Sequence, residues 1–180
     1  MTDKKYQIIL ADPPWQWQKS KLVNRGKART VEKEYNTMTT EDICNLPIQK
    51  ITEDNAVLFL WATGPKIKDA FKVMEAWDFN YKAFAFVWVK KNKKNTNSNF
   101  WGMGFYTRAN AEFCLLGTKG KGLPRQSAKV HQIIESPIQK HSRKPSDVRD
   151  KIVELYGDVS RIELFARESS PGWSCWGNEV

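Results

Sequence analysis

A doubly wound α/β fold with a mostly parallel sheet is what this sequence predicts, on three observations. Short apolar runs rich in β-branched residues alternate with segments of helical periodicity. One run, Ala56-Val57-Leu58-Phe59-Leu60-Trp61, is apolar throughout, as a strand covered on both faces is. The 180 residues, 41% hydrophobic and 12% aromatic, suffice for one full core, and no repeat, linker or low-complexity tract divides them. One domain over residues 1–180 is expected.

Taken in order, Tyr6-Gln7-Ile8-Ile9-Leu10 reads as a buried strand, followed at once by Ala11-Asp12-Pro13-Pro14-Trp15. Gln16 to Asn36 is polar and basic without periodicity, and its length suggests a working lid rather than a plain connection. Thr39 then caps a short helix, with Asp42 completing a capping box, and Pro47 ends it. After the strand Ala56–Trp61, Gly64-Pro65 breaks the chain. Ile67, Ala70, Phe71, Met74 and Trp77 recur at helical spacing, a stripe that packs on the sheet. Tyr81 to Val89 and Ala111 to Leu116 are further strands. Ser146 is expected to cap a helix that Gly157 stops, and Arg161 to Ala166 is the last clear strand.

Ligands in such folds sit beyond the carboxyl ends of the strands. Asp12, the loop after Trp61, the loop after Val89 and the segment after Phe165 all leave strands there. Three basic loops are expected to rim the same face and touch a nucleic-acid backbone. They carry Lys19, Lys21, Arg25, Lys27 and Arg29; then Lys91, Lys93 and Lys94; then Lys121 and Arg125.

The chemistry concentrates at Asp12-Pro13-Pro14-Trp15. Two prolines in a row remove two backbone N–H groups, so the turn presents acceptors and few donors. Asp12, preceding a proline, is held extended. A donor-poor pocket with an aromatic wall suits a planar substrate bearing an NH₂ group, such as a nucleobase. Asp12 and the Pro13 carbonyl accepting one N–H each would free the nitrogen's lone pair, and Trp15 would stack on the ring. The plainer alternative is a strand that ends in a common Asp-Pro turn.

The Asp-Pro-Pro-Trp string after an apolar strand resembles the adenine-N6 methyltransferases whose eukaryotic members methylate adenosine in messenger RNA and whose bacterial and phage relatives act on DNA. The resemblance runs from about Tyr6 to Glu179 and includes Tyr35-Asn36-Thr37-Met38, Phe59 to Gly64, Val87 to Lys90, Arg143-Lys144-Pro145, Ile162 to Arg167 and Gly177-Asn178-Glu179. It implies the Rossmann-like fold of S-adenosylmethionine-dependent methyltransferases in permuted motif order, with S-adenosylmethionine as cofactor. It implies that Asp12, Pro13, Pro14 and Trp15 are catalytic and that Tyr35 joins Trp15 at the base. Cofactor contacts are implied for Asp12, Lys144, Phe165, Arg167, Asn178 and Glu179, with Ser169 or Ser170 replacing a His-Asn pair of the eukaryotic members. The expected reaction is methylation of adenine N6 in DNA, as in restriction–modification. RNA is an alternative substrate, and a silent nucleic-acid-binding subunit an alternative role.

Bulk properties agree with a nucleic-acid partner. The formal net charge of +9 favours a polyanion. The three cysteines, Cys44, Cys114 and Cys175, are scattered, as reduced cytoplasmic thiols are. No signal region or membrane-length apolar run occurs, so a soluble cytoplasmic chain is expected, and the resemblance implies a prokaryotic or phage-infected cell. His131 and His141 lack ligand spacing, so no metal is expected. A chain this small could dimerise to grip a duplex.

Overall fold

The computed structural model describes residues 4–16, 37–104, 106–139, 143–177 and 180. Seven strands form one sheet in the order β5-β3-β4-β2-β1-β6-β7. They are β1 (Tyr6–Ala11), β2 (Thr52–Thr63), β3 (Asn80–Lys91), β4 (Glu112–Lys119), β5 (Ile133–Pro137), β6 (Arg161–Leu164) and β7 (Ser174–Trp176). The helices are α1 (Thr40–Cys44), α2 (Ile67–Ala76) and α3 (Asp147–Tyr156).

Every pairing is parallel except the two that β4 makes, with β2 and with β3. The mostly parallel sheet is therefore as the sequence predicts, with one reversed strand at its centre. That reversal decides what reaches the site. Glu112, the first residue of β4, lies opposite Thr63 and Trp88, at the edge where the other strands end.

Helices cover both faces. On one, Ala70, Val73 and Met74 of α2 and Ile43 of α1 pack with Ile9, Leu58, Leu60 and Leu115. On the other, Val148, Ile152 and Tyr156 of α3 pack with Ile8, Leu10, Val57 and Phe59. Alternation along β1 and β2 sends successive side chains to opposite clusters, which is why these strands read as unbroken apolar runs.

The α1 capping box forms as expected, with Asp42 N–H donating to Thr39 Oγ1 at 3.1 Å. Ser146 does not cap α3: it has helical dihedrals and no side-chain bond to the helix backbone. Two strands were not legible. β5 holds only Ile133-Ile134 as an apolar pair before Glu135-Ser136-Pro137, and β7 is Ser174-Cys175-Trp176, each too short to show a period.

The reversal of β4 also corrects one basic loop. Lys119 ends β4 beside Ala56, near the start of β2, and Lys121 N–H donates to Asn55 Oδ1 at 2.8 Å. Gln126 N–H, next to Arg125, donates to the Leu155 carbonyl near the end of α3. Lys121 and Arg125 thus lie at the opposite edge of the sheet from the carboxyl ends.

Candidate active site

β1 carries Asp12 out of the sheet one residue past Ala11, which is flanked by Leu60 on β2 and Leu164 on β6. The next residues on those strands, Trp61 and Phe165, line one cleft with Asp12, Lys144, Arg149 and Arg167. Its space, counted to the open mouth, is about 510 Å³. Two remote stretches meet here: the turn after β1 and the segment before α3.

They meet through charge. Lys144 Nζ donates to Asp12 Oδ2 at 2.8 Å and lies 3.1 Å from Glu112 Oε2. The other Glu112 oxygen, Oε1, accepts from Lys90 Nζ at 2.5 Å. Lys144 also stands over the Trp61 ring, 5.8 Å from its centroid. Lys90, Glu112, Lys144 and Asp12 thus alternate in sign along the cleft's edge. Burial pushes the Asp12 carboxyl above the usual aspartate value, against the pull of Lys144. Burial acts in the same direction on Glu112, but Lys144 and Lys90 outweigh it and hold that carboxyl below its usual value. Burial would lower Lys144, yet Asp12 and Glu112 keep it above an ordinary lysine.

A second ionic group forms the opposite wall. Arg149 of α3 grips Glu163 of β6 with two bonds, Nε to Oε2 at 2.6 Å and Nη2 to Oε1 at 3.1 Å. Glu168 accepts from Arg143 and, at 3.3 Å, from Arg149. Between these walls the chain turns sharply at Phe165, whose φ is +61°, and its ring meets Trp176 at 5.4 Å. Gly177 closes the corner, because a Cβ there would stand 2.2 Å from the Ala166 carbonyl.

The proline turn is built differently from the sequence expectation. The Pro13 carbonyl, expected to receive a substrate N–H, accepts Trp15 N–H at 2.8 Å. The Pro14 carbonyl accepts Met38 N–H, also at 2.8 Å. Trp15 is 8% exposed, packed in the core, and its Nε1–H donates to the Trp61 carbonyl at 3.0 Å. That bond ties the turn to the end of β2, and the Trp15 backbone bridges to Met38.

Among the other expected residues, Lys144, Phe165 and Arg167 line the cleft, whereas Ser169 is exposed and Glu168 lies in the lining instead. Lys91 is tied to Asn99 and Glu135, each at 3.0 Å, rather than directed to a ligand. Lys93 and Lys94 are exposed, and Lys93 lines a groove that shares Arg143 and Arg167 with the cleft. Tyr35, Lys19, Lys21, Arg25, Lys27, Arg29, Asn178, Glu179 and His141 lie outside the described residues. Among the described residues, no three His, Cys, Asp or Glu side chains gather as metal ligands do, and no helix is long and apolar enough to cross a membrane.

Glu112, Arg149 and Glu163 were missed by sequence reasoning. For Glu112 and Glu163 the available signal was a charged residue inside a strand expected to be buried, since such a group needs an opposite charge nearby.

Comparisons with known proteins bear on this geometry. The MT-A70 family model matches residues 6–179. A type II methyltransferase, M.MunI from Mycoplasma sp, is 37% identical over 98% of this chain and 78% of its own length. The human N(6)-adenosine-methyltransferase catalytic subunit METTL3 is 26% identical over 98% of this chain but 28% of its own. Human N(6)-adenine-specific methyltransferase METTL4 is 29% identical over 98% of this chain and 38% of its own. The chain belongs to the MT-A70 family.

Proposed function

We propose that this MT-A70 family member is an S-adenosylmethionine-dependent methyltransferase acting on N6 of adenine in DNA. The observation that carries the reading is the shared cleft. Asp12, from the first strand's exit, and Lys144, Phe165 and Arg167, from the last third of the chain, line one space.

The donor set fits the cofactor. S-adenosylmethionine carries a carboxylate, an ammonium, a ribose and an adenine, and the cleft offers cations, carboxylates and an aromatic ring. Lys144 would attract the carboxylate, Asp12 the ammonium, and Arg167 would donate to ribose oxygens. Phe165 would bound the cofactor's apolar side. Asn178 and Glu179 are proposed at its adenine edge from the family resemblance alone. When bound, the cofactor supplies an electrophilic methyl group on a sulfonium.

The chain's own task is to make a poor nucleophile better. The exocyclic amine of adenine delocalises its lone pair into the ring. Asp12 as a carboxylate accepts an N–H from it and draws the nitrogen toward tetrahedral geometry. The Pro13 carbonyl can accept the second through its remaining lone pair, while its first holds Trp15 N–H. Positioning then supplies much of the rate. As the new N–C bond would form, the S–CH₃ bond would break to leave a neutral thioether and the amine would lose a proton, which Asp12, whose burial favours the protonated form, can receive. In duplex DNA the adenine must leave the stack, at a cost of a few kcal/mol. Lys93 and Lys94 at the rim, together with the basic residues before Tyr35, are proposed to take the backbone charge.

DNA is preferred because the type II methyltransferase aligns over most of both chains, whereas the adenosine methyltransferase shares just over a quarter of its length. The METTL3 likeness favours RNA as a second reading. Transfer of labelled methyl groups to duplex DNA, single-stranded DNA and single-stranded RNA separates them. Incorporation highest on DNA is expected, and none on any polymer would leave a silent binding subunit. A second copy of the chain on duplex is proposed as partner, read by sedimentation with and without DNA, and the cytoplasm as the setting.

A further inference from the structure

We propose that Glu112 is a positioning residue for methyl transfer: it shares the Lys144 ammonium with Asp12, so that Asp12 can turn to the substrate amine while Lys144 keeps its place. The inference rests on the methyltransferase reading and extends it to a residue outside the proline turn.

The first argument is placement. β4 runs against its neighbours, so its opening residue reaches the edge where β2 and β3 finish. Glu112 therefore stands in the sheet itself, held on both sides by strand pairing, with a side chain 5% exposed. Its partners come from elsewhere: Lys90 near the end of β3 at 2.5 Å and Lys144 before α3 at 3.1 Å. The most rigid member of the chain of charges is thus the one farthest from solvent.

The second argument is competition. Lys144 lies 2.8 Å from Asp12 Oδ2, an oxygen the amine would also use. Without Glu112, more of the Lys144 charge would fall on Asp12, and the amine would have to compete with it. Glu112 offers the ammonium a second acceptor, Oε2 at 3.1 Å. Lysine suits such an exchange, since its three donors rotate about a single nitrogen and make no fixed fork. Glu112 remains ionised to do this, because Lys144 and Lys90 hold its proton affinity down despite burial.

The third argument is cost. A buried ion pair contributes little net stability compared with well-packed apolar residues of the same size. A carboxylate between two lysines at this depth is a weak choice for a fold and a good one for holding a charge in register.

Two measurements on the intact chain test this. Lysine side-chain nitrogen NMR reads the Lys144 ammonium directly, its resonance identified by loss in Lys144→Met. Glu112→Gln is expected to shift that resonance and speed its proton exchange; an unchanged resonance overturns the proposal, whether or not the protein methylates anything. In turnover, Glu112→Gln is expected to lower kcat about 10- to 100-fold while KM for nucleic acid moves less than about threefold. Glu112→Asp keeps the charge and should retain an intermediate kcat, and it serves if the glutamine variant folds poorly. The double variant Lys90→Met with Glu112→Gln removes the stranded lysine charge. Tm should recover there while kcat stays low. Recovery of kcat together with Tm would make Glu112 a counter-ion for Lys90 alone and overturn the proposal. Absence of transfer by the unaltered chain would defeat the methyltransferase reading instead, and the resonance would still report on Glu112.

Discussion

The two walls of the cleft use opposite charges in different ways. On the β6 side, Arg149 holds Glu163 through two parallel bonds, and both side chains are 15% exposed. A planar guanidinium matched to a carboxylate fixes direction as well as distance. On the β1 and β4 side, Lys90 and Lys144 each meet Glu112 or Asp12 through one ammonium nitrogen and one oxygen at a time. One wall is a clamp between α3 and β6; the other is a row of point charges whose partners can change. A site that must receive and release ligands needs both, a fixed frame and an exchangeable edge.

Removing the carboxylate at the end of the row breaks the comparison most severely. Asp12→Ala should reduce methyl transfer by about 100- to 1000-fold, the scale of losing one preorganised electrostatic contact to the reacting group. Its Tm should change little or rise, because a carboxyl whose proton affinity is raised by burial is held charged at a cost to the fold. Lys144→Met comes next. It should weaken cofactor affinity about tenfold or more by calorimetry, since the cleft loses a cation facing the proposed carboxylate. Transfer unchanged in the first variant, or affinity unchanged in the second, would remove that residue from the site.

The clamp should answer in stability rather than in chemistry. Glu163→Gln leaves Arg149 short of a charged partner and should cost about 2–3 kcal/mol in denaturant unfolding. Loss of activity should follow only from loss of folded protein. If instead turnover falls while stability holds, the β6 wall is as exchangeable as the other and the contrast fails.

How far this contrast could be read from the chain differs between the walls. The strands that bear it were legible, because Ile8 to Leu10 and Ala56 to Trp61 are continuous apolar runs long enough to state their burial. Asp12 was legible because consecutive prolines after a buried strand are a local and unusual constraint. Lys144 and Arg167 were reached through family resemblance, since exposed lysines and arginines are too common to point anywhere. Glu112 was not reached at all. Its meaning depends on β4 running backwards, and the direction of a strand has no local signature. The same blindness put Lys121 and Arg125 on the wrong edge. Trp15 shows a related limit: sequence shows that an indole is available, not that its N–H goes to the Trp61 carbonyl.

The pH dependence sharpens the picture of the exchangeable wall. Asp12 accepts an N–H only as a carboxylate, and its folded proton affinity lies above the ordinary aspartate value. Lys144, Glu112 and Arg167 are the charged groups that face it, with the Cys114 thiol nearby. Lys144 is held above the usual lysine value, so it keeps its charge in the window where Asp12 titrates, and Glu112 is held below the usual glutamate value. The acid limb of kcat/KM should therefore belong to Asp12 and fall above the usual aspartate range, with activity present above it and lost below. The sign for stability runs the other way. A folded value raised above the unfolded one means that protonation of Asp12 favours the fold, so activity should vanish on acidification before Tm does. Glu112, with its folded value lowered, instead withdraws stability as pH falls through that value.

The smallest effect is expected where the two exits of β1 and β2 are pinned together. Trp15→Phe keeps most of the buried ring and removes one bond, Nε1–H to the Trp61 carbonyl at 3.0 Å. A neutral bond of this kind is worth about 1 kcal/mol, and the orphaned carbonyl at the strand's end can find water. Tm should fall by only a few degrees. Turnover should fall several-fold more than that loss of folded protein explains, because the same bond sets Asp12 beside Trp61, over whose ring Lys144 sits. A variant that unfolds slightly sooner but turns over normally would mean that the proline pair alone holds Asp12 in register, and that Trp15 serves the core rather than the row of charges.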